Sequence, residues 1–158
     1  MTDMLVKLYT LPNLEPILTQ QQEAGVIIRR AMAAEKRLVM DWVGQTFEPG
    51  WTSECEVAFA HQPISCYIAV NNGQLVGFAC HDATCKNFFG PTGVSHTQRG
   101  RGLGKALLLT CLHAMAGQGY TYAIIGGVGP VEFYTNAVGA VVIEGSDPGI
   151  YEGMLNRE

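Results

Sequence analysis

The sequence predicts an α/β fold: one mixed, mostly antiparallel sheet of six to seven strands, flanked by about four helices. Three observations lead to it. Two strand-like runs, residues 64–70 and 74–82, flank Asn71-Asn72-Gly73, a turn with the chemistry of a tight hairpin. A third strand, 87–94, is followed by an apolar helix, 103–116, and then by the short apolar run 122–125. A strand–helix–strand crossover after a hairpin gives a mixed sheet with helices on both faces. The 158 residues fit a single domain spanning 1–158, long enough for a hydrophobic core without disulfide or metal staples.

In chain order, residues 5–11 alternate weakly and form a short first strand. Residues 12–25 are polar and carry Pro12 and Pro16, which reads as a loop or a turn of helix. The β-branched run 26–29 is a strand. Leu38, Val39, Trp42 and Val43 recur at helical spacing and predict an amphipathic helix over 33–46. Pro49 and Gly50 break it. Ser53 stands three residues before Glu56, a capping box that opens a second short helix to about His61. Gly90, Pro91 and Gly93 disturb strand 87–94. Proline cannot donate to a ladder, so the strand is bulged or splayed there. Helix 103–116 carries Leu103, Leu107, Cys111 and Ala114 on one stripe and stops at Gly117 and Gly119. Pro130 suits the first position of a short helix that ends at Gly139. Residues 141–144 form another strand and 150–155 a last one.

Composition narrows the function classes. Hydrophobic residues make up 47% and charged residues 15%, a balance that folds rather than stays disordered. The net charge of −4 makes an extended phosphate backbone a poor partner, so no nucleic acid is expected. No apolar run of about 18 residues spans a membrane. The stretch MTDMLVKLYTLP lacks the basic start and apolar core of a secretory signal. Five scattered cysteines fit reduced thiols in a cytoplasmic protein, small side chains buried in strands. Cys80, His81, Asp82 and Cys85 raise the question of zinc. No Cys-x-x-Cys or His-x-x-x-His pair accompanies them, so no metal is expected.

One stretch stands out against the acidic background. Gln98 to Leu109 reads QRGRGLGKALLL, with three glycines, two arginines and a lysine just ahead of the apolar helix. A helix N-terminus offers free N–H groups and a partial positive charge, and glycine lets backbone approach an anion without Cβ collisions. Arg99, Arg101 and Lys105 add full charges. Cations there oppose the helix dipole by about 0.3–1 kcal/mol each, an arrangement that makes sense when an anion sits on the turn. Together they form a pyrophosphate seat. A P-loop would need Ser or Thr after Gly104-Lys105 and a glycine in place of Arg99. A Rossmann fingerprint would need a third glycine at Lys105. The acyl-CoA pattern Q/R-x-x-G-x-G/A is matched at every fixed position by Arg99-Gly100-Arg101-Gly102-Leu103-Gly104.

With Val94 five residues before Arg99 and EFYTNAVGA (Glu132 to Ala140) downstream, residues 64–145 resemble the GNAT superfamily of N-acetyltransferases. Residues 1–63 resemble it only in their strand–helix–helix order. The resemblance implies acetyl-CoA as acyl donor and an amine as acceptor. It implies that the pyrophosphate sits on the backbone of Arg99, Gly100, Arg101, Gly102, Leu103, Gly104 and Lys105. The pantetheine arm would pair with backbone around Thr92, Gly93 and Val94, where an N–H near Thr92 polarises the thioester carbonyl. Tyr134 matches the family tyrosine that protonates the departing thiolate. A phenol with pKa about 10 is protonated at neutral pH and can act as that acid. Two departures stand out. Gly127 occupies the place of an asparagine common in the family, within the flexible stretch Gly126 to Pro130, and Gly139-Ala140 replaces Gly-Phe.

The general base is open among Glu54, Glu56, His81, Asp82 and His96. Glu54 is the leading candidate because the start of the second helix borders the family's acceptor site. Trp42, Phe47 and Trp51 either line an acceptor pocket or belong to the core. Of the neighbours Phe88 and Phe89, which face opposite sides of their strand, one belongs to the core and the other is placed to touch substrate. Residues 144–155 either close over the acceptor site or form the edge of a homodimer. The leading function is acetyl transfer to a primary amine of a small molecule by direct attack. The alternatives are a protein or peptide acceptor, and a non-catalytic module that binds acyl-CoA.

Overall fold

Seven strands form one sheet in the computed structural model, which describes residues 1–155. They are β1 (Met4–Lys7), β2 (Val26–Arg30), β3 (Cys66–Asn71), β4 (Gln74–His81), β5 (Phe88–Val94), β6 (Tyr122–Ile125) and β7 (Val141–Val142). Their order across the sheet is β2-β3-β4-β5-β6-β1-β7. Every pairing is antiparallel except β5 with β6. Five α-helices lie among the described residues: α1 (Glu15–Glu23), α2 (Lys36–Thr46), α3 (Pro49–Ala60), α4 (Leu103–Gly117) and α5 (Val131–Val138).

Two apolar cores, one on each face, join the layers. On one face α4 lies across β3, β4 and β5, with Leu103, Leu107, Leu108, Leu109 and Leu112 all buried. Burial of a leucine side chain contributes about 1.5–3 kcal/mol, so this helix anchors that face. Its buried surface is wider than the stripe read from periodicity, because α1, which also contacts β2, packs against it as well. On the other face α2 and α3 cover Ile68, Phe78 and Cys80 through Val39, Val43, Cys55 and Phe59. All five cysteines are free thiols. Cys66 and Cys80 lie in strands but Cys55 and Cys111 lie in helices, and Cys85 is exposed.

Several elements differ from the sequence reading, and each has a local cause. Residues 12–25 were expected as a loop or a turn of helix but contain the nine-residue α1. Pro16 sits in its first turn, where a missing N–H costs nothing, and the buried Gln21 donates from Nε2 to the Arg101 carbonyl at 2.9 Å. That bond ties a polar helix to the glycine turn, which raises the α-helices from about four to five. α2 ends at Thr46 as expected, but the break is shorter: Pro49 itself starts α3, so Ser53 lies inside the helix and forms no capping box. Glu56 pairs with Lys36 at 3.1 Å. Residues 33–35 form a 3-10 turn before α2, held by Glu35, which accepts from the Met32 N–H and from Arg29. Residues 150–155 form no strand; a 3-10 turn spans Gly149–Tyr151. β1 is inserted between β6 and β7, antiparallel to both.

Candidate active site

The sheet opens at its single parallel pair. β5 and β6 are in register only at Phe88 with Ile124 and at Phe89 with Ile125. Gly90 then takes φ +118°, and the β4–β5 register shifts between Ala79 and His81. Beyond that bulge β5 follows β4 and leaves β6. The strands splay, as the glycines and proline predicted, and the gap is a cleft of about 840 Å³.

The backbone of β5 is turned toward this gap. The Ser95 N–H donates to the Val76 carbonyl at 2.8 Å, so Ser95 faces β4. Backbone groups alternate sides along a strand. Gly93 therefore also faces β4, while the N–H and C=O groups of Thr92 and Val94 face the cleft. Gly93 has a second constraint, because a Cβ there would collide with the Phe47 ring. Phe47 belongs to an aromatic cluster with Trp42, Trp51 and Phe78, with ring centroids 5.3–6.2 Å apart. Of these, Trp51 lines the cleft and the others support it from the core.

At one end the cleft reaches the N-terminus of α4. Gly100 and Gly102 both take φ +77°, a left-handed conformation that costs glycine little. No side chain caps the helix, so the N–H groups of Leu103, Gly104 and Lys105 point outward unpaired by it. Gly100, Gly102, Leu103, Gly104 and Lys105 all line the cleft, as does Arg99, whose Nε donates to the Val94 carbonyl at 3.4 Å. Arg101 does not line it. Its guanidinium donates to Gln98 Oε1 at 3.3 Å. The backbone and two of the three cations thus converge, and Arg101 serves the turn through its carbonyl bond to Gln21.

The catalytic candidates Glu54 and Tyr134 line the same cleft. Tyr134 is carried by α5 and is buried, with its ring edge-on to Phe89 and Phe133. Burial raises its phenol pKa, which keeps the hydroxyl protonated. Glu54 lies within α3, not at its start, and its Oε1 accepts from Thr84 Oγ1 at 2.5 Å. The other base candidates lie elsewhere. His81 is fully buried, bonded through Nδ1 to Asp82 Oδ2 at 2.9 Å. Asp82 also accepts from the Tyr120 hydroxyl and the Asn87 N–H. His96 is exposed, and neither it nor Glu56 lines the cleft. Phe88 and Phe89 are both buried; Phe89 lines the cleft and Phe88 packs on Gly126.

Three contributors escaped the sequence reading. Thr84 comes from the loop between β4 and β5, and Glu48 from the residue before α3. Tyr151 comes from the C-terminal 3-10 turn. Burial, followed by the nearby Asp3 and Glu54 carboxylates, raises its phenol pKa. The β6–α5 turn is held by the N-terminal strand: Asp3 Oδ1 accepts from the Gly127 N–H at 2.8 Å, and the Thr2 carbonyl accepts from Val128 at 2.9 Å. Nothing in the sequence signals a partner for Gly127 across more than a hundred residues. Among the described residues no group of three or more His, Cys, Asp or Glu side chains converges as metal ligands. No helix there is long and apolar enough to cross a membrane.

A mixed sheet parted at one parallel pair, with a glycine turn and an uncapped helix at the mouth of the gap, defines an acyltransferase-type fold. The family model for the Acetyltransferase (GNAT) family matches residues 36–135, and the chain belongs to that family. Its fold recurs in the GCN5-related glucosamine N-acetyltransferase region of a fungal multi-domain GH3 β-N-acetylglucosaminidase. The TM-score is 0.73 and the identity 14%, over 90% of this chain and 19% of that one. A GCN5-related N-acetyltransferase from Sphaerobacter thermophilus has a TM-score of 0.68 at 19% identity, over 90% of this chain and 48% of that one. One from Kribbella flavida has 0.61 at 20%, over 89% and 53%. At these identities the likeness is one of fold, and the chain spans about half the length of these relatives or less. No curated protein sequence matches it.

Proposed function

We propose that the protein transfers an acetyl group from acetyl-CoA to a primary amine of a small molecule by direct attack. The observation that carries the reading is the joining, in one cleft, of an uncapped helix N-terminus, cleft-facing strand backbone, a protonated tyrosine and a carboxylate. These groups fit the donor part by part. The N–H groups of Leu103, Gly104 and Lys105, with Arg99 and the Lys105 ammonium, suit a pyrophosphate. The Thr92 and Val94 backbone suits an extended amide-bearing arm. Bound acetyl-CoA supplies an activated thioester.

The chain's own residues then divide the chemistry. The Thr92 N–H stabilises negative charge on the carbonyl oxygen. Glu54 accepts the proton that the attacking ammonium must lose, with Thr84 fixing its carboxylate. Tyr134 Oη donates a proton to the departing sulfur.

Calorimetry with acetyl-CoA tests the seat. Arg99→Ala should weaken binding about five- to tenfold, as expected for loss of one charge-assisted contact of ~1 kcal/mol, and added salt should weaken the natural chain further. Arg101→Ala should change affinity less than twofold, because its side chain does not line the cleft. No measurable binding, or equal losses for the two arginines, would refute this use of the turn.

A further inference from the structure

We infer that the C-terminal segment forms an acceptor subsite closed at its far end by Tyr151, and that this subsite takes a compact primary ammonium and not a peptide. The inference rests on the acetyl-transfer reading for the reaction it serves, but the subsite itself is a matter of geometry.

The segment after β7 is fastened across the N-terminal strand. The Ile143 N–H donates to the Asp3 carbonyl at 2.9 Å. Ser146 Oγ accepts from the Asp3 N–H at 2.8 Å and lies 2.9 Å from Thr2 Oγ1. The 3-10 turn that follows is held by the Tyr151 N–H on the Pro148 carbonyl at 3.1 Å. It delivers the phenol onto Gly126, so close that a Cβ at 126 would stand 2.7 Å from the Tyr151 hydroxyl oxygen. Gly126 directly follows Ile125, the last residue of β6 paired with β5. Tyr151 therefore stands over the apex of the splay and fills space there that a long acceptor would need.

The other walls fix the charge class. Glu48 and Glu54 are the carboxylates lining this cleft, and Trp51 and Tyr151 present aromatic surface to it. The side-chain cations lining the cleft, Arg99 and Lys105, belong to the α4 end; Met1 also lines it, with its terminal ammonium paired to Asp147 at 2.7 Å. An ammonium at the far end gains from the carboxylates and from the aromatic faces. The same volume must also admit the donor's arm, which leaves room for a short acceptor only. A peptide amine needs an open groove, and Tyr151 closes it.

The test compares primary amines of rising bulk, from ethylamine through phenethylamine to a lysine-bearing peptide. Two quantities are read: kcat/KM from thiol release, and binding of each amine alone by chemical-shift titration of the full chain. The natural chain should prefer the compact amines in both. Tyr151→Ala should raise the bulky-to-compact ratio about tenfold, the size of effect expected when a pocket gains room for a few methylenes. Tyr151→Phe should keep the natural preference, and Gly126→Ala, which displaces the phenol without removing it, should move the ratio the same way as Tyr151→Ala. Unchanged ratios in Tyr151→Ala and Gly126→Ala, or a natural preference for the peptide, would overturn the proposal. If no amine is acetylated, the acetyl-transfer reading fails. The titration still decides the subsite, through a size-dependent binding that Tyr151→Ala relaxes or does not.

Discussion

The two ends of the cleft are built differently. The α4 end comes from one unbroken stretch, Arg99 to Lys105, and presents mostly backbone: two left-handed glycines and a helix start with no side-chain cap. The far end is assembled from α3, the β4–β5 loop, the end of β6 and the C-terminal turn, and it presents side chains. Backbone geometry tolerates replacement of single side chains, whereas an assembly of side chains loses function when one is removed. The α4 end should therefore respond to substitution in graded affinity, and the reacting end in rate or in folding.

Tyr134→Phe is the strongest test of that contrast. The ring stays against Phe89 and Phe133, and only the hydroxyl is lost. A general acid contributes roughly 100-fold or more, so kcat should fall by about that factor while calorimetric affinity for coenzyme A stays within about twofold. A comparable loss of affinity would mean that Tyr134 only packs against the donor, and the contrast between binding and rate would collapse.

The same contrast explains what the sequence could disclose. The splayed strand, the glycine turn and helices α4 and α5 were legible, because each depends on neighbours in the chain: proline in a strand, glycine at positive φ, apolar spacing of 3.6. Helix α1 was not, since its polar surface has weak periodicity and its anchor is Gln21 on a carbonyl eighty residues away. Pro49 was ambiguous, because proline both ends one helix and begins the next. The place of β1 between β6 and β7 follows from pairing across the whole chain, which no local pattern encodes. Glu54 was named from the resemblance, but its Thr84 partner and the packing of Tyr151 on Gly126 are tertiary facts. The Arg101 side chain looked equivalent to Arg99 in sequence and is separated from it only by the direction each takes off the turn.

Gly93 links the two ends and tests how tightly they are joined. It lies in the wall that faces the donor, yet its Cα hydrogen side is filled by Phe47 of the aromatic cluster that carries Trp51. Gly93→Ala forces that ring to move, and overpacking of this kind costs about 1–3 kcal/mol. Urea unfolding should show that loss with an unchanged slope. A loss below about 0.5 kcal/mol would mean that the cluster yields easily and that Trp51 is not held rigidly in the acceptor wall.

The smallest expected effect concerns the foundation of the far end alone. The loop that brings Thr84 to Glu54 begins at Asp82, where φ is +53° and the carboxylate holds His81, Tyr120 and the Asn87 N–H together. His81 Nδ1 lies 2.9 Å from Asp82 Oδ2, while Nε2 is buried without a hydrogen-bond partner among the described residues. A carboxylate accepts at Nδ1, which assigns a proton to that nitrogen, and burial with Nε2 unpartnered favours the neutral ring. Burial lowers the His81 pKa, and Asp82 offsets this only in part. The sign follows directly. Below the unfolded-state pKa of about 6.5 the unfolded chain takes up a proton that the folded chain resists, so stability falls as the pH drops through that value. One proton limits the slope to about 1.4 kcal/mol per pH unit. Urea unfolding at pH 7.5 and 5.5 should show a drop that is smaller in His81→Gln, which removes the titrating group. Because the strained loop root is shared, amine binding at the far end should weaken with acid while affinity at the α4 end changes less. Equal pH dependence of stability in the two proteins would mean that His81 does not titrate in this range and that the far end has no acid-sensitive support.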